Sequence, residues 1–440
     1  MKKATMIAAA ALCGLAAHAG GILTNTNQSA AFLRMVARGA SQEIDAVYSN
    51  PAGTAFMPEG WQLSATIQSV YQTRNIESTL ALYPEGTRTY EGKASVPALP
   101  SVYAAYKKGS WGINGFFGIV GGGGKASFDD GLPMFDSKVM ASLYAQSHGT
   151  ITPDKYDINS AVSGRQYIYG AQLGASYRIN KHLGVFAGGR MAYFSGNYSG
   201  YVEARLKAAD QTLLNLELDC DQSGWGITPI LGINYNVAGL TLAAKYEFKT
   251  SLNIANKTEK NSDPEGALAD FKDGVNTPSD IPSMLSVAVG YKFTPRLRAT
   301  LEYHFYDDKH AGMAHVDGGT EGKEKALTHG TSEFLAGAEF DINKLITVSA
   351  GVQRTDYGLS DGFQTNTAFS CDSWSVGLGA ALNLSSKVKL NVGYFWTMYD
   401  DYTKSVAASA TGGYNGTTMA GKDVYSRTNK VFGVGVDYKF

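Results

Sequence analysis

From Trp61 to the end of the chain, apolar and polar positions alternate. Trp61, Leu63, Ala65, Ile67 and Tyr71 fall on one face, and Gln62, Ser64, Thr66 and Gln68 on the other. Side chains project to opposite faces of an extended strand, so this period of two predicts a strand with one apolar and one polar face. The pattern returns at Tyr167–Arg178, Leu285–Phe293, Trp374–Asn383 and Val388–Trp396. About fourteen such strands are expected, beginning near Trp61, Leu99, Trp111, Gln166, Leu183, Gly226, Leu240, Pro282, Leu297, Ser332, Ile346, Ser373, Val388 and Thr428.

The connections between them alternate in length. Short turns stand at 107–110, 180–182, 236–239, 294–296, 343–344 and 385–387. Long polar loops stand at 77–98, 121–165, 200–224, 256–281, 307–331, 359–372 and 400–427. Alternating short and long links, an even strand number and outward apolar faces predict an antiparallel transmembrane β-barrel with long extracellular loops over residues 61–440. A soluble sandwich would turn its apolar faces inward and has no reason to alternate its loops.

Composition agrees. The 440 residues carry a net charge of −1, which gives no reason to expect nucleic acid, and include 51 Gly, 26 Tyr and 19 Phe. No run of about eighteen apolar residues predicts a membrane helix, which leaves barrels untouched. Residues 1–19 read as an export signal: Lys2 and Lys3, an apolar core from Met6 to Leu15, and Ala17-His18-Ala19 before the cut. An outer membrane of a Gram-negative cell is the implied location. Export leaves Cys220 and Cys371, a possible disulfide if the loops fold inward over the mouth. The final strand alternates Phe432, Val434, Val436, Tyr438 and Phe440, and its terminal Phe440 resembles the signal read by the barrel assembly machinery.

Residues 20–60 carry no strand pattern and end in Ser49-Asn50-Pro51-Ala52-Gly53, a turn-forming stretch. A fourteen-stranded wall encloses a lumen that its own side chains do not fill, and this segment is the natural filler. With Asn50, Pro51 and Ala52 just before the first of fourteen strands, the chain resembles the FadL/TodX family of outer-membrane transporters for long-chain fatty acids and other hydrophobic compounds. The resemblance implies an N-terminal hatch over residues 20–60, closed by that motif. It also implies a kink in the third strand that opens the wall sideways. Gly121, Gly122, Gly123 and Gly124 follow the third predicted strand and suit such a kink, with Phe116 and Phe117 beside them.

In the fifth strand Phe186, Arg190 and Phe194 are expected to face inward. There Arg190 either holds a ligand carboxylate over an apolar bed or pairs with a lumen acid such as Glu247, Glu302 or Glu339. His304, His310 and His315 cluster with Asp307 and Asp308 and are expected in a solvated loop rather than around a metal. No Ser-His-acid set falls on a lipid-facing position, so no lipase site is expected. The expectation is a monomeric, non-enzymatic barrel without cofactor, touching membrane lipids and taking up a hydrophobic small molecule. A general diffusion porin, or a surface-binding or structural barrel, is the alternative.

Overall fold

A computed structural model of the protein describes Ile22, Thr24 and residues 28–208, 211–315 and 321–440. The expected export signal lies outside these residues.

Seventeen strands share one antiparallel sheet. Three short ones, Asn253–Asn261, Asn276–Pro278 and Tyr402–Val406, belong to external loops, and the other fourteen close a barrel. In chain order the wall is β1 Gly60–Leu80, β2 Thr87–Lys108, β3 Trp111–Phe128, β4 Tyr156–Arg178, β5 Leu183–Leu206, β6 Gln211–Val237 and β7 Leu240–Glu247. It continues with β8 Met284–Lys292, β9 Leu297–Tyr306, β10 Thr331–Asp341, β11 Ile346–Asp356, β12 Ser373–Asn383, β13 Val388–Tyr399 and β14 Gly421–Lys439. Each strand pairs with the next, and β14 returns to β1 in unbroken register from Gln62↔Lys439 to Leu80↔Gly421. Closure leaves no strand of the wall without a neighbour on both sides, as an apolar solvent requires.

The alternation is realised as expected in the lower wall. Trp61, Ile67 and Tyr71 face out, while Gln62, Ser64, Thr66 and Gln68 are buried inside. Trp61, Trp111, Phe340 and Phe440 mark the end with the short turns; Tyr71, Phe334, Trp374 and Trp396 mark the other. Trp61 and Tyr71 are ten residues apart on one strand, which spans roughly 25 Å at a typical barrel tilt and matches an outer-membrane apolar band.

The strand boundaries need correction on one side. β1 to β6 run far above the band, so most of the expected loops 77–98 and 200–224 is strand, with β1 ending at Leu80, β2 beginning at Thr87, β5 ending at Leu206 and β6 beginning at Gln211. The cause is an inversion of faces. Above the band Thr73, Asn75, Glu77 and Thr79 point outward, while Ile76 and Leu80 point inward and are buried. Water now lies outside and a packed core inside, so the apolar face changes sides.

That upper core is Ile76, Tyr90, Phe128, Val162, Tyr198 and Tyr425 from the wall, joined by Leu132, Phe271 and Phe369 from inward-folded loops. A helix in the β3–β4 loop, Pro133–Gln146, lies across it.

Candidate functional site

Residues 28–59 fill the lower lumen. A five-residue helix, α1 Ala30–Arg34, starts at Ser29, whose hydroxyl accepts the Phe32 N–H at 3.1 Å. A helix this short does not hold itself together and depends on its packing. Phe32, Leu33 and Val36 pack against inward Val70, Phe395 and Val431. The approach is close enough that a Cβ at Gly377 or Gly393 would collide with Leu33, so wall glycines are the seat of α1.

The segment is bound to nearly every side of the wall. Arg34, fully buried, donates to Glu339 of β10, to Ser349 of β11 at 3.1 Å and to Asn391 of β13 at 3.1 Å. Arg38 forks onto Asp45 at 2.7 and 2.9 Å, the bidentate geometry that a guanidinium offers a carboxylate. The Gly39 N–H donates to Glu302 of β9 at 2.7 Å. Gln172 of β4 and Lys245 of β7 donate to the carbonyls of Val47 and Tyr48 at 2.8 and 2.9 Å.

The Asn50-Pro51-Ala52 stretch closes this segment. Asn50 caps a 3-10 helix, Pro51–Phe56, with Pro51 in the first turn, where its missing N–H costs nothing. The Asn50 side-chain amide donates to the Ser41 carbonyl at 3.0 Å and to Asn234 of β6 at 2.7 Å. Ala52 is fully buried against Phe186 and Ile230. Thr54 donates to Ser176 of β4 and accepts from Asn114 of β3, both at 2.9 Å. The motif thus ties the last turns of the segment to three strands before the chain enters β1.

The wall itself is interrupted between β2 and β3. Pairing runs up to Val102↔Phe117 and resumes only at Ser95↔Lys125. Residues 118–124 of β3 therefore have no ladder partner on β2, whose facing stretch 96–101 contains Pro97 and Pro100. On the other side β3 keeps β4 by two bulges, after Ile119 and after Gly122. Gly122 and Gly124 sit at φ of +69° and +115°, angles that favour glycine.

One residue of the N-terminal segment bridges this interruption. The Gln28 amide donates to the Ile119 carbonyl of β3 at 2.8 Å, while the Gln28 carbonyl accepts from Ser101 of β2. Behind the interruption lies an apolar cluster containing Tyr48, Tyr103, Phe116, Val120, Ile168 and Phe194. Tyr48 is its centre: its ring packs on Phe116 at 4.8 Å and has the Lys245 ammonium at 4.9 Å and the Arg190 guanidinium at 5.5 Å.

Of the expected ligand residues, Phe116, Arg190 and Phe194 converge around Tyr48. Phe117 does not: it is half-exposed on the outer, lipid face, because it alternates with Phe116 on one strand. Phe186 faces inward but packs lower, against Ala52. Arg190 is ion-paired with Glu247, which Lys245 also contacts at 2.8 Å, so its lumen-pair alternative describes the structure. Cys220 and Cys371 are both buried and free, so the possible disulfide is not formed. They instead serve as small apolar side chains of the upper core. His304 is not in a loop: it is buried on β9 between Glu302 at 2.6 Å and Glu333 at 2.9 Å. His310 meets Asp307 at 2.6 Å in the loop beyond, and among the described residues no group of side chains has metal-ligand geometry. Gln28 and Tyr48 carried no signal in the sequence, since a lone glutamine or tyrosine in unpatterned chain has no period to read.

The family described as outer membrane protein beta-barrel domain matches residues 260–440. Among curated proteins, none matches. Solved structures do. A Pseudomonas aeruginosa FadL homologue aligns at TM-score 0.66 and 14% identity, over 96% of this chain and 100% of that one. The chain has the fold of the FadL and TodX transporters. The P. putida toluene transporter TodX aligns at TM-score 0.54 and 15% identity, over 90% of this chain and 94% of that one. The Ralstonia pickettii toluene transporter TbuX gives 0.54 and 14% over the same shares. The FadL-like barrel is accordingly an outer-membrane protein, with its short turns and both strand termini, Gly60 and Phe440, at one end.

Proposed function

We propose that this FadL-like barrel carries hydrophobic small molecules across the outer membrane without catalysing a reaction. Residues 20–60 act as its hatch, and ligand leaves sideways between β2 and β3. The observation that carries this reading is the unpaired stretch 118–124 in an otherwise closed wall, with an apolar cluster directly behind it. An interrupted ladder would be costly in lipid, where unpaired backbone groups find no water. Gln28 offsets that cost from inside, which makes the seal part of the hatch rather than of the wall.

The route supported by the packing begins in the upper core. An apolar ligand can replace the loop side chains Phe271 and Phe369 there with little change in buried area. It then meets Tyr48 and its neighbours, and withdrawal of Gln28 opens the path to the bilayer. The ligands are long-chain fatty acids or other hydrophobic molecules, in line with the FadL homologue and toluene transporter that share the fold; the pairing of Arg190 with Glu247 favours an uncharged molecule at the cluster.

Native mass spectrometry of wild type against a variant lacking residues 20–49 tests this. Wild type should copurify with apolar ligand and the deletion should not. Sugar-driven swelling of liposomes carrying the intact protein would instead identify an open porin and end the uptake reading.

A further inference from the structure

The end of the barrel with the short turns is cationic in an unusual way. Lys108, Lys181, Lys292, Arg296, Lys344 and Lys387 sit on five of its six turns and all are exposed. Just above them, Arg298 and Lys389 are matched by Glu339, Asp341 and Glu43, yet among the described residues none of the six takes part in an ion pair. At the external end Lys93, Lys207 and Lys260 meet Glu91, Asp157 and Glu217, while Lys125, Lys257 and Lys422 are exposed and, among the described residues, take part in no ion pair. Four of the five cationic turns also present an apolar side chain to the outside. Ile179, Phe293, Ile342, Leu345 and Leu384 are 51%, 60%, 47%, 47% and 57% exposed.

We propose that these turns bind the headgroups of anionic glycerophospholipids in the inner leaflet of the outer membrane. On those four turns the two halves fit one lipid molecule. The apolar side chain enters the acyl boundary, while the lysine or arginine stem extends along it and places its charge at the phosphate. A soluble acidic partner would satisfy the charges and leave the five apolar side chains without a role. Basic clusters at a membrane surface attract anionic lipid, and the attraction weakens with salt. The proposal rests on the outer-membrane assignment and not on uptake, so either can fail alone.

Two of the five tryptophans, Trp61 and Trp111, stand exposed at this same end. With Trp225, Trp374 and Trp396 changed to Phe, they report on the lipid beside the turns. The barrel is reconstituted in phosphatidylcholine containing either brominated phosphatidylglycerol or brominated phosphatidylcholine as the quencher. Phosphatidylglycerol should be preferred roughly five-fold, the effect of a single cation–headgroup contact. Raising the salt should reduce the preference, and changing all six cations to Gln should abolish it. Equal quenching by the two lipids at low salt, or a preference that survives in the six-Gln protein, overturns the proposal. So does loss of preference in inorganic phosphate but not in chloride of equal ionic strength, which would assign the turns to a soluble phosphate compound. If heat-modifiable gel migration shows that the six-Gln protein has not folded, the Lys292→Gln/Arg296→Gln variant and the salt series on the unaltered turns decide the matter.

Discussion

The lower and upper halves of the lumen are filled by different physics. Below, the N-terminal segment, the proposed hatch, is held by directional bonds: Arg34 to three strands, Gly39 to Glu302, and Asn50 to Asn234. Above, the filling is mostly apolar, with Tyr90, Phe128, Tyr198, Phe271 and Phe369 in one cluster. Contacts of the first kind are costly to break singly, because each leaves a charge or amide unsatisfied in a dry site. Contacts of the second kind can be exchanged for any apolar molecule of similar size. On the proposed uptake route, the upper half is therefore where a ligand would compete on equal terms, and the lower half is where the barrier to leakage would reside.

The largest expected effect breaks the lower half. Arg34→Ala removes one guanidinium from Glu339, Ser349 and Asn391 and should loosen the hatch by about 3 kcal/mol. Hydrogen exchange at residues 30–36 should accelerate by roughly two orders of magnitude while the β1–β14 ladder stays protected. If exchange in the hatch is unchanged, the ion pairs are not what holds it. Phe369→Ala breaks the upper half instead. Its ring packs on Tyr425 at 4.7 Å and lies under the Arg74 guanidinium at 4.5 Å, so truncation should cost about 3 kcal/mol. The expected signature is faster uptake of an apolar fluorescent probe with hatch exchange unaltered. Should both variants change both readouts together, the two halves are one unit and the comparison fails.

Gln28→Ala acts where the two halves meet the wall. It leaves the Ile119 carbonyl without its donor, which costs about 1–3 kcal/mol in a buried site. Exchange at residues 118–124 should rise, and bound probe should leave faster into the bilayer. Faster exchange with unchanged probe release would mean that the β2–β3 interruption is not the way out.

The contrast between the halves also governs how much the sequence disclosed. Trp61 to Tyr71 reads as a strand because lipid lies outside and a polar hatch inside, and all fourteen wall strands were legible on that pattern. From Thr73 the same strand continues with its faces exchanged. A reader looking for an apolar outer face sees only a polar loop, so β1, β2, β5 and β6 seemed to stop early. Asn50-Pro51-Ala52 was legible because turn chemistry is local. The glycine run was legible as a ladder defect. Gln28 was not, because its role depends on two carbonyl and hydroxyl partners more than seventy residues away. Phe117 was misplaced beside Phe116 for a simpler reason: neighbours on a strand never share a face. The fate of Arg190 turned on Glu247, and two inward side chains on different strands meet only once register is known.

The smallest expected effect tests whether the upper half is purely apolar. The one acid of the Pro133–Gln146 helix, Asp136, is buried and accepts from Tyr90 and from Arg88, both at 2.6 Å. Burial raises its pKa, and the Tyr90 hydroxyl and Arg88 lower it less than burial lifts it. A carboxyl whose folded pKa is raised favours the folded state while protonated; that support is lost as pH rises through the folded value. Above that value the Asp136 charge is thus a weak point in the packing of this helix, softened by the partly exposed Arg88. Asp136→Asn keeps the shape and removes the charge, so the helix should pack more firmly. Chymotryptic cleavage after the exposed Tyr144 should slow by roughly two- to three-fold at neutral pH, and the difference should shrink as the pH is lowered. Faster cleavage in the variant would mean that the Arg88 pair, and not apolar packing, anchors the helix, and would erase the distinction between the halves at that point.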